Sequence, residues 1–148
     1  MGSKLTPVEI LLVEDNPNDV EMTVRALKNG QVRLTNHLTV ARDGEEALDI
    51  LFGRGNHNGY RPGLILLDLN LPKVDGREVL EKIKADPKLR RIPVVVLTVS
   101  NREEDVARCY DVGANTYITK PVRFEDFIKV VKTIKRYWIL GGTLPPVE

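Results

Sequence analysis

The chain has 148 residues and a formal net charge of +1, with 42% apolar and 29% charged residues. This length and balance are typical of one soluble globular domain with its own core. A dedicated nucleic-acid binder would carry a basic excess, and no apolar stretch is long enough to span a bilayer. The single cysteine, Cys109, excludes an internal disulfide and a multi-cysteine zinc site. The amino terminus has no apolar signal core, which predicts a cytoplasmic protein.

Strand-like segments alternate with amphipathic helices, without an internal repeat. The strands are predicted at residues 8–13, 34–40, 64–67, 93–97 and 116–119. Two of these runs, at residues 64–67 and 93–97, are continuously apolar, and the run at 8–13 is broken only by Glu9, as is typical of strands buried on both faces of a parallel sheet. The second run is more polar, so we expect it at the edge of the sheet.

Capping signals mark where the helices begin. Asn16-Pro17 opens the first helix, and capping boxes at residues 43–46, 75–78 and 100–103 open the next three. The last helix is predicted at residues 123–139, with a core face made by Phe124, Phe127, Ile128, Val131 and Ile134. This alternation predicts a flavodoxin-like α/β fold, a doubly wound parallel sheet of five strands in the order 2-1-3-4-5 between two layers of helices.

The third predicted strand runs directly into Asp68. A charged carboxylate inside the core would have a large desolvation cost, so Asp68 is expected at the carboxyl edge of the sheet. Open α/β sheets build their sites at this edge. In the predicted order the first and third strands are neighbours, which brings Glu14, Asp15 and Asp68 into one crevice.

Three carboxylates in one crevice repel each other unless a cation lies among them. Oxygen ligands of this kind suit Mg²⁺. Lys120 after the fifth strand supplies a positive charge suited to phosphate, and Thr98 after the fourth supplies a hydroxyl. Taken singly, each residue is explained as a cap or a surface group. Their occurrence at successive strand ends predicts phosphoryl transfer, with Asp68 as the nucleophile that forms an aspartyl phosphate.

An ordered set of motifs extends this pattern over residues 8–139. They are Val13-Glu14-Asp15-Asn16, Leu67-Asp68-Leu69-Asn70-Leu71-Pro72, Asp75-Gly76, Leu97-Thr98, Gly113-Ala114 and Tyr117-Ile118-Thr119-Lys120-Pro121. With these motifs in this order, the chain resembles the receiver domains of bacterial two-component response regulators. The resemblance implies a single receiver domain over residues 1–148, with a core at 8–139 and a tail at 140–148.

The resemblance implies a phosphoryl donor and a metal. Asp68 would accept a phosphoryl group from a phosphohistidine on a sensor histidine kinase. Asp15, Asp68 and the main-chain carbonyl of Asn70 would bind Mg²⁺, for which Mn²⁺ or Ca²⁺ could substitute, and Glu14 would act through water. Such a domain is a signalling switch rather than an enzyme, and it catalyses only its own phosphoryl transfer and slow dephosphorylation.

The resemblance also implies how the signal leaves the site. Thr98 and Lys120 would contact the phosphoryl oxygens, and Thr98 with Tyr117 would form a switch that alters the surface read by a downstream protein or phosphotransfer domain. Lys120-Pro121 is expected to be a cis peptide. Val99 is bulkier than the alanine common beside this threonine, which bears on the lifetime of the phosphoryl group.

Three features depart from a minimal receiver: the insertion at residues 53–63, the aromatic pair Tyr137-Trp138 and the tail Leu144-Pro145-Pro146. His57, within the insertion, is expected to be solvated. With the phrase Asp68-Leu69-Asn70-Leu71-Pro72-Lys73, these features resemble stand-alone regulators that partner cyanobacterial phytochrome photoreceptor kinases.

The last helix carries more apolar side chains than one core face can use. Val130, Tyr137, Trp138 and Leu140 remain, and together they would form an exposed patch of the kind that marks an interface. We therefore expect a homodimer through this helix and the tail, related by a two-fold axis. The alternative is that Trp138 folds back on its own domain.

Three other functions fit the sequence less well than the receiver does. A phosphatase that works through an aspartyl phosphate would want a second acid two residues after Asp68, where this chain has Asn70. A flavin-binding module would want a phosphate-binding loop after the first strand, and Glu14-Asp15 would repel that phosphate. A degenerate receiver that serves only for interaction would not need the complete acidic set.

Overall fold

The computed structural model describes residues 9–28, 38–55 and 60–141, the last three as backbone only. Within these ranges the strands are β1 (Ile10–Val13), β2 (Leu38–Ala41), β3 (Leu64–Leu67), β4 (Val94–Thr98) and β5 (Thr116–Thr119). They pair in parallel in the order β2-β1-β3-β4-β5. The predicted fold class and strand order are therefore confirmed.

In the part of the chain that the structure describes, five α-helices connect and follow the strands. They are α1 (Pro17–Lys28), α2 (Gly44–Leu51), α3 (Gly76–Ala85), α4 (Glu103–Val112) and α5 (Phe124–Ile134), and α5 continues into a π-helical segment, Lys135–Gly141. Among the described helices, none has the length and apolar character that crossing a membrane requires. The predicted residues 34–37 of the second strand, His57 and the tail at 144–146 lie outside the described residues.

Alternate residues of the buried strands supply the two faces of the sheet, as strand geometry requires. On one face, strand residues such as Leu11 and Ile65 pack with α2, α3 and α4, and Cys109 is buried among them. On the other face, Ile10 and Leu64 pack with α1 and α5. Both faces of β1 and β3 are consequently dry, which is why their sequences are continuously apolar.

The register of the sheet aligns the strand ends. Val13 lies opposite Leu67, and Thr98 lies opposite Thr119. Each ladder continues for one more residue through a backbone hydrogen bond. The three bonds that do this join Glu14 N to the Ala41 carbonyl at 2.9 Å, Asp68 N to the Val13 carbonyl at 3.0 Å and Lys120 N to the Thr98 carbonyl at 2.6 Å. The charged residues are thus fixed at the edge by the sheet itself.

Two of the predicted helix starts are confirmed. Asn16 Oδ1 accepts hydrogen bonds from the N–H groups of Asn18 and Asp19, and Asp43 Oδ1 accepts from Glu46 N at 2.7 Å. These are the bonds that an N-cap side chain supplies to the free donors of the first turn.

The capping box at residues 75–78 is only half formed. Asp75 accepts from the N–H of Arg77 at 3.0 Å, whereas the side chain of Glu78 pairs with Lys82 one turn along α3. Pairing at this spacing is favourable on a helix surface, so it competes with the reach back to the cap.

The capping box predicted at residues 100–103 is wrong. The helix begins at Glu103, and its cap residue, Arg102, makes no side-chain capping bond. The Ser100 hydroxyl instead donates to Asp105 Oδ2 at 2.6 Å. A hydrogen bond to a carboxylate is a strong one, so it sets the orientation of the Ser100 hydroxyl, whose oxygen is left with one long contact of 3.5 Å from Arg102 N.

Two further predictions for the end of the chain are wrong. Phe124 is 59% exposed instead of being buried in the core. It is the first residue of α5 and lines an open groove between α1 and α5 with Met22 and Ile128. No peptide bond among the described residues is cis, so Lys120-Pro121 is trans. The two isomers before proline differ by only about 0.5–1 kcal/mol, which leaves the choice to the surroundings rather than to the local sequence.

Candidate functional site

A cleft of about 460 Å³ opens at the carboxyl edge of the sheet. Its lining consists of the residues after β1, β3, β4 and β5 and the first turn of α1, namely Glu14, Asp15, Asn16, Pro17, Asp19, Asp68, Asn70, Val99 and Lys120. We call this the acidic cleft. Glu14 and Asp68 are buried in its floor, and Asp15 and Asn70 are exposed at its rim.

Three carboxylates predicted to converge do so in the structure. One oxygen each from Glu14, Asp15 and Asp68 can be chosen so that all three lie within 4.8 Å of one another. A small hard cation can bridge oxygens at this separation, and carboxylates are ligands that such cations prefer. The geometry and donor chemistry are therefore compatible with a divalent metal.

Lys120 is the cation that contacts these carboxylates in the structure. Its Nζ lies 2.5 Å from Glu14 Oε1, 2.7 Å from Asp19 Oδ2 and 2.9 Å from Asp68 Oδ2. An ammonium group has three donors, and each is directed to a different carboxylate. The sequence placed Lys120 at this edge but did not identify Asp19. The available signal was its position in the first turn of a helix that starts at the site.

The electrostatics of the acidic cleft are unbalanced. Burial raises the pKa of Glu14 to about 7; the hydrogen bond from Lys120 opposes this rise, and the charge of Asp68 adds to it. Burial alone would lower the pKa of Lys120, but hydrogen bonds to Asp19 and Glu14 and the charge of Asp68 raise it above its usual value. Among the residues lining the cleft, four carboxyl groups face one ammonium. A further cation would therefore stabilise the cleft.

Backbone contacts hold the two buried carboxylates in place. Asp68 Oδ1 accepts from Asn70 N at 3.1 Å, and Glu14 Oε2 accepts from Asn16 N at 3.1 Å. At Gly76 a Cβ atom would lie 2.2 Å from the carbonyl oxygen of Asp68, so the loop after β3 packs directly on the start of α3. Only glycine permits this approach, which explains the Asp75-Gly76 motif.

Thr98 ends β4 and is fully buried. Its hydroxyl oxygen lies 3.5 Å from Ser100 N. The adjacent Val99 is 63% exposed and lines the acidic cleft. The valine that the sequence analysis noted in place of an alanine is therefore part of the cleft wall.

Tyr117 belongs to a second polar cluster, on the α4 side of the sheet edge. Its hydroxyl donates to the Ser100 carbonyl at 2.8 Å, and the Ser100 hydroxyl donates to Asp105. Asp105 in turn accepts two hydrogen bonds from Arg77, at 2.7 and 2.6 Å. We call this chain of contacts, which also includes the Arg77–Asp75 pair, the Arg77 network.

The bidentate bond from Arg77, with the Ser100 hydroxyl adding to it, holds the pKa of Asp105 well below its usual range. Sequence reasoning missed this pair because Arg77 and Asp105 are 28 residues apart and lie on different helices. Neither residue is part of a motif that marks the other.

The residues predicted as a dimer interface have different environments. Val130 and Trp138 are partly buried and pack against the core cluster shared by α1 and α5, whereas Tyr137 is 64% exposed. The rings of Tyr137 and Trp138 meet edge to face with their centroids 5.2 Å apart. Trp138 thus contacts its own domain, as the alternative prediction stated. The side chain of Leu140 lies outside the described residues.

The family model of the response regulator receiver domain matches residues 10–132. The chain belongs to this family. The match covers both faces of the sheet and every strand, and it contains the acidic cleft, including Asp68 and Lys120. The predicted resemblance to receiver domains is confirmed.

Individual relatives make the comparison more specific. The chain is 46% identical to response regulator Rcp1 of Synechocystis sp. over 140 residues, which are 94% of each protein. It is also 46% identical over 135 residues, 90% of this chain and 84% of the relative, to a probable methanogenesis regulatory protein, FilR2, of Methanothrix harundinacea. Like Rcp1, the chain is a response regulator.

Two solved structures share its fold closely. The phosphorylated cyanobacterial phytochrome response regulator RcpA has a TM-score of 0.91 and 46% identity, covering 95% of this chain and all of that one. The Mn²⁺-bound form of Rcp1 has a TM-score of 0.90 with the same identity and coverage. The chain is therefore homologous to phytochrome-associated regulators, as its sequence features predicted.

Proposed function

We propose that this receiver accepts a phosphoryl group on Asp68 from a sensor histidine kinase and that the reaction depends on Mg²⁺. The observation that carries the proposal is the position of Asp68: a buried carboxylate in the floor of an open cleft, 2.9 Å from Lys120 Nζ and within reach of two further carboxylates. A nucleophile in this place has one oxygen held by Asn70 N and a cation beside the other.

Each residue then has a defined task in the transfer. Asp68 attacks the phosphorus, so an O–P bond forms on its carboxylate while the N–P bond to the kinase histidine breaks. Asp15, Asp68 and the Asn70 carbonyl would hold Mg²⁺ directly and Glu14 through water, and the metal would neutralise charge on the phosphoryl oxygens. Lys120 and Thr98 would donate to those oxygens. The Mn²⁺-bound relative supports the choice of a divalent cation at this site.

Labelling with acetyl phosphate and Mg²⁺ tests the proposal without a kinase. Wild type should gain one phosphate that is stable to acid and labile to base, as an acyl phosphate is. Asp68→Asn should gain none, since an amide cannot replace the attacking carboxylate. Asp49→Asn, at a partly exposed residue paired with Arg54, is the matched control and should label as wild type does. Equal labelling of Asp68→Asn would remove Asp68 as the acceptor.

The proposed kinase is of the phytochrome type. Homology to RcpA and Rcp1 supports this choice. Because the chain is equally identical to FilR2, a histidine kinase of another type is the comparison to make. Phosphotransfer should be at least about 100-fold faster from a phosphorylated phytochrome-type kinase than from an unrelated histidine kinase. Similar rates from both would contradict the phytochrome assignment and leave the receiver function intact.

The phosphorylated receiver would pass its signal on to a downstream protein or phosphotransfer domain and would slowly dephosphorylate itself. The proposed route is the Thr98–Tyr117 pair, since Tyr117 is joined by its hydroxyl to the loop that follows Thr98. The proposal includes a cytoplasmic location, where the ATP that charges the kinase is found.

We further propose a homodimer through the last helix. Tyr137 supports it as an exposed aromatic side chain whose ring is braced by the partly buried Trp138. Residues of this type anchor protein interfaces. Sedimentation at micromolar concentration should give a dimer for wild type and a monomer for Tyr137→Ser, with Val122→Ser as the control at another exposed apolar side chain. A monomeric wild type would contradict the dimer.

A further inference from the structure

Asp19 makes a contact that none of the assigned roles explains. Its Oδ2 lies 2.7 Å from Lys120 Nζ, and the two residues are 101 positions apart in the sequence. Its side chain is 18% exposed, so the pair is largely withdrawn from water. Asp19 is anchored in the first turn of α1, where its N–H donates to Asn16 Oδ1. The contact therefore joins a rigid helix to the end of β5.

The other two partners of Lys120 have further bonds to maintain. Glu14 also accepts from Asn16 N, and Asp68 also accepts from Asn70 N. Both belong to the group of carboxylates whose oxygens can meet around a cation, and Asp19 is outside that group. A metal that draws on Glu14 and Asp68 would weaken two of the three contacts of Lys120 and leave the contact with Asp19.

We propose that Asp19 is a positioning residue for Lys120 in phosphoryl transfer. It holds the ammonium beside Asp68 while metal and phosphoryl group enter, so that the N–H directed at Asp68 Oδ2 can turn to a phosphoryl oxygen. The inference rests on the proposed phosphorylation of Asp68 and deepens it, because it names a residue that acts on the reaction only through the lysine.

The chemistry of the lysine side chain explains why an anchor is useful. Lysine carries its charge on a flexible four-carbon stem, and ordering that stem during the reaction costs entropy. Groups fixed in the reactive geometry beforehand avoid this cost at the transition state. Asp19 provides such fixation from a helix that the reaction need not move.

The first test compares labelling rates with acetyl phosphate at saturating Mg²⁺. Asp19→Asn should label about tenfold more slowly than wild type, and Asp19→Glu, which retains a carboxylate, should recover part of the rate. Glu21→Gln is the matched control, because it removes one negative charge from the same helix at an exposed residue paired with Arg25. A labelling rate for Asp19→Asn equal to that of wild type would overturn the positioning role.

The second test asks whether Asp19 works through the lysine. In a Lys120→Ala background, long incubations should show that adding Asp19→Asn changes the residual labelling rate less than twofold. If Asp19→Asn slows labelling in this background by the same factor as it does when Lys120 is present, Asp19 acts independently of Lys120, and the proposal is overturned.

Calorimetric titration with Mg²⁺ separates positioning from metal ligation. Asp19→Asn should retain the Mg²⁺ affinity of wild type within about threefold, since Asp19 is outside the group of carboxylates that can meet around a cation, whereas Asp15→Asn should lose more. An equal loss in both variants would make Asp19 a metal ligand and overturn the inference. If wild type itself takes no phosphate, the proposed function and this inference both fail. If wild type takes phosphate and Asp19→Asn labels at the same rate, the inference alone fails.

Discussion

The acidic cleft and the Arg77 network are two buried ionic clusters at the same edge of one sheet, and they are built on opposite plans. In the network, the guanidinium of Arg77 binds Asp105 through two short bonds and Asp75 through a third contact. In the cleft, a single ammonium is shared among three carboxylates, with Asp15 nearby. In the Arg77 network the guanidinium uses its donors on two carboxylates, whereas the acidic cleft has an excess of negative charge that can bind a further cation.

The difference separates a structural task from a functional one. A planar guanidinium matches a carboxylate geometrically, so the network fixes α3, α4 and the loop at Ser100 relative to one another. An excess of carboxylates stores repulsion in the cleft, which metal and phosphoryl chemistry can relieve. Sites that bind or react commonly sacrifice stability in this way. Tyr117 joins the rigid cluster and not the reactive one.

The same substitution in the two clusters gives the largest expected contrast. Asp105→Asn should lower the free energy of unfolding by about 2–3 kcal/mol, because it removes a charge from a pair that is largely buried, though 18% of the Arg77 side chain is exposed. Asp68→Asn should leave stability unchanged or raise it, because it relieves repulsion among carboxylates. Urea unfolding at pH 7 without divalent metal measures both. Equal destabilisation by the two variants would contradict the comparison.

Acid should remove the stabilising effect of Asp105. Its pKa is held below the usual value by Arg77, so the folded state binds that proton less readily than the unfolded state does. The contribution is fully present above the ordinary aspartate pKa of about 4 and is lost as pH falls toward the lower, folded value. The stability gap between wild type and Asp105→Asn should therefore be constant above about pH 5 and should narrow progressively as the pH falls below about 4. A gap that does not change with pH would contradict this origin.

Removing a metal ligand should give a smaller effect, seen only when metal is present. We expect Asp15→Asn to bind Mg²⁺ about tenfold more weakly, which is a loss of about 1.4 kcal/mol. Wild type at a Mg²⁺ concentration of 100 times its dissociation constant would gain about 2.7 kcal/mol in stability, and the variant about half of that. Thermal unfolding with and without Mg²⁺ measures the gain. An equal gain in both proteins would remove Asp15 from the metal site.

Protons should compete with the metal at the same carboxylates. Burial and the charge of Asp68 raise the pKa of Glu14 to about 7, although Lys120 opposes the rise. Lowering the pH from 8 to 6 protonates this carboxyl group in the metal-free protein, so Mg²⁺ affinity should fall over that interval. In Glu14→Gln the same titration should be flatter. Affinity that stays constant from pH 8 to 6 in wild type would contradict the competition.

Weakening the coupling between the two clusters should have the smallest effect. Thr98→Ala should still take up phosphate on Asp68, but the phosphate should change the environment of Tyr117 less, with a coupling loss of about 1 kcal/mol. Amide hydrogen exchange at Tyr117 and Ser100, with and without phosphate, measures the response. Tyr117→Phe, which removes the hydroxyl bond to Ser100, is the matched comparison. A full response in phosphorylated Thr98→Ala would exclude this route.

Sequence alone determined the sheet and the acidic residues at its edge. A continuous apolar run such as residues 64–67 requires burial on both faces, and the carboxylate of Asp68 cannot follow it into the core. Alternation and right-handed crossovers then indicated a doubly wound sheet, for which 2-1-3-4-5 is the common order with five strands. Because these rules depend on local pattern and desolvation, the sequence by itself predicts that Glu14, Asp15 and Asp68 converge.

Only the tertiary structure decided which charged groups are partners. Asp19 contacts Lys120, which is 101 residues away in the sequence, and Arg77 contacts Asp105, which is 28 residues away. In neither pair does the sequence around one residue indicate its partner. Ser100 likewise donates a hydrogen bond to Asp105, which the fold places beside it, and does not cap the helix as predicted. Burial depends on the sequence pattern around a residue, whereas a hydrogen bond depends on distances of about 3 Å that are fixed only when separate elements pack.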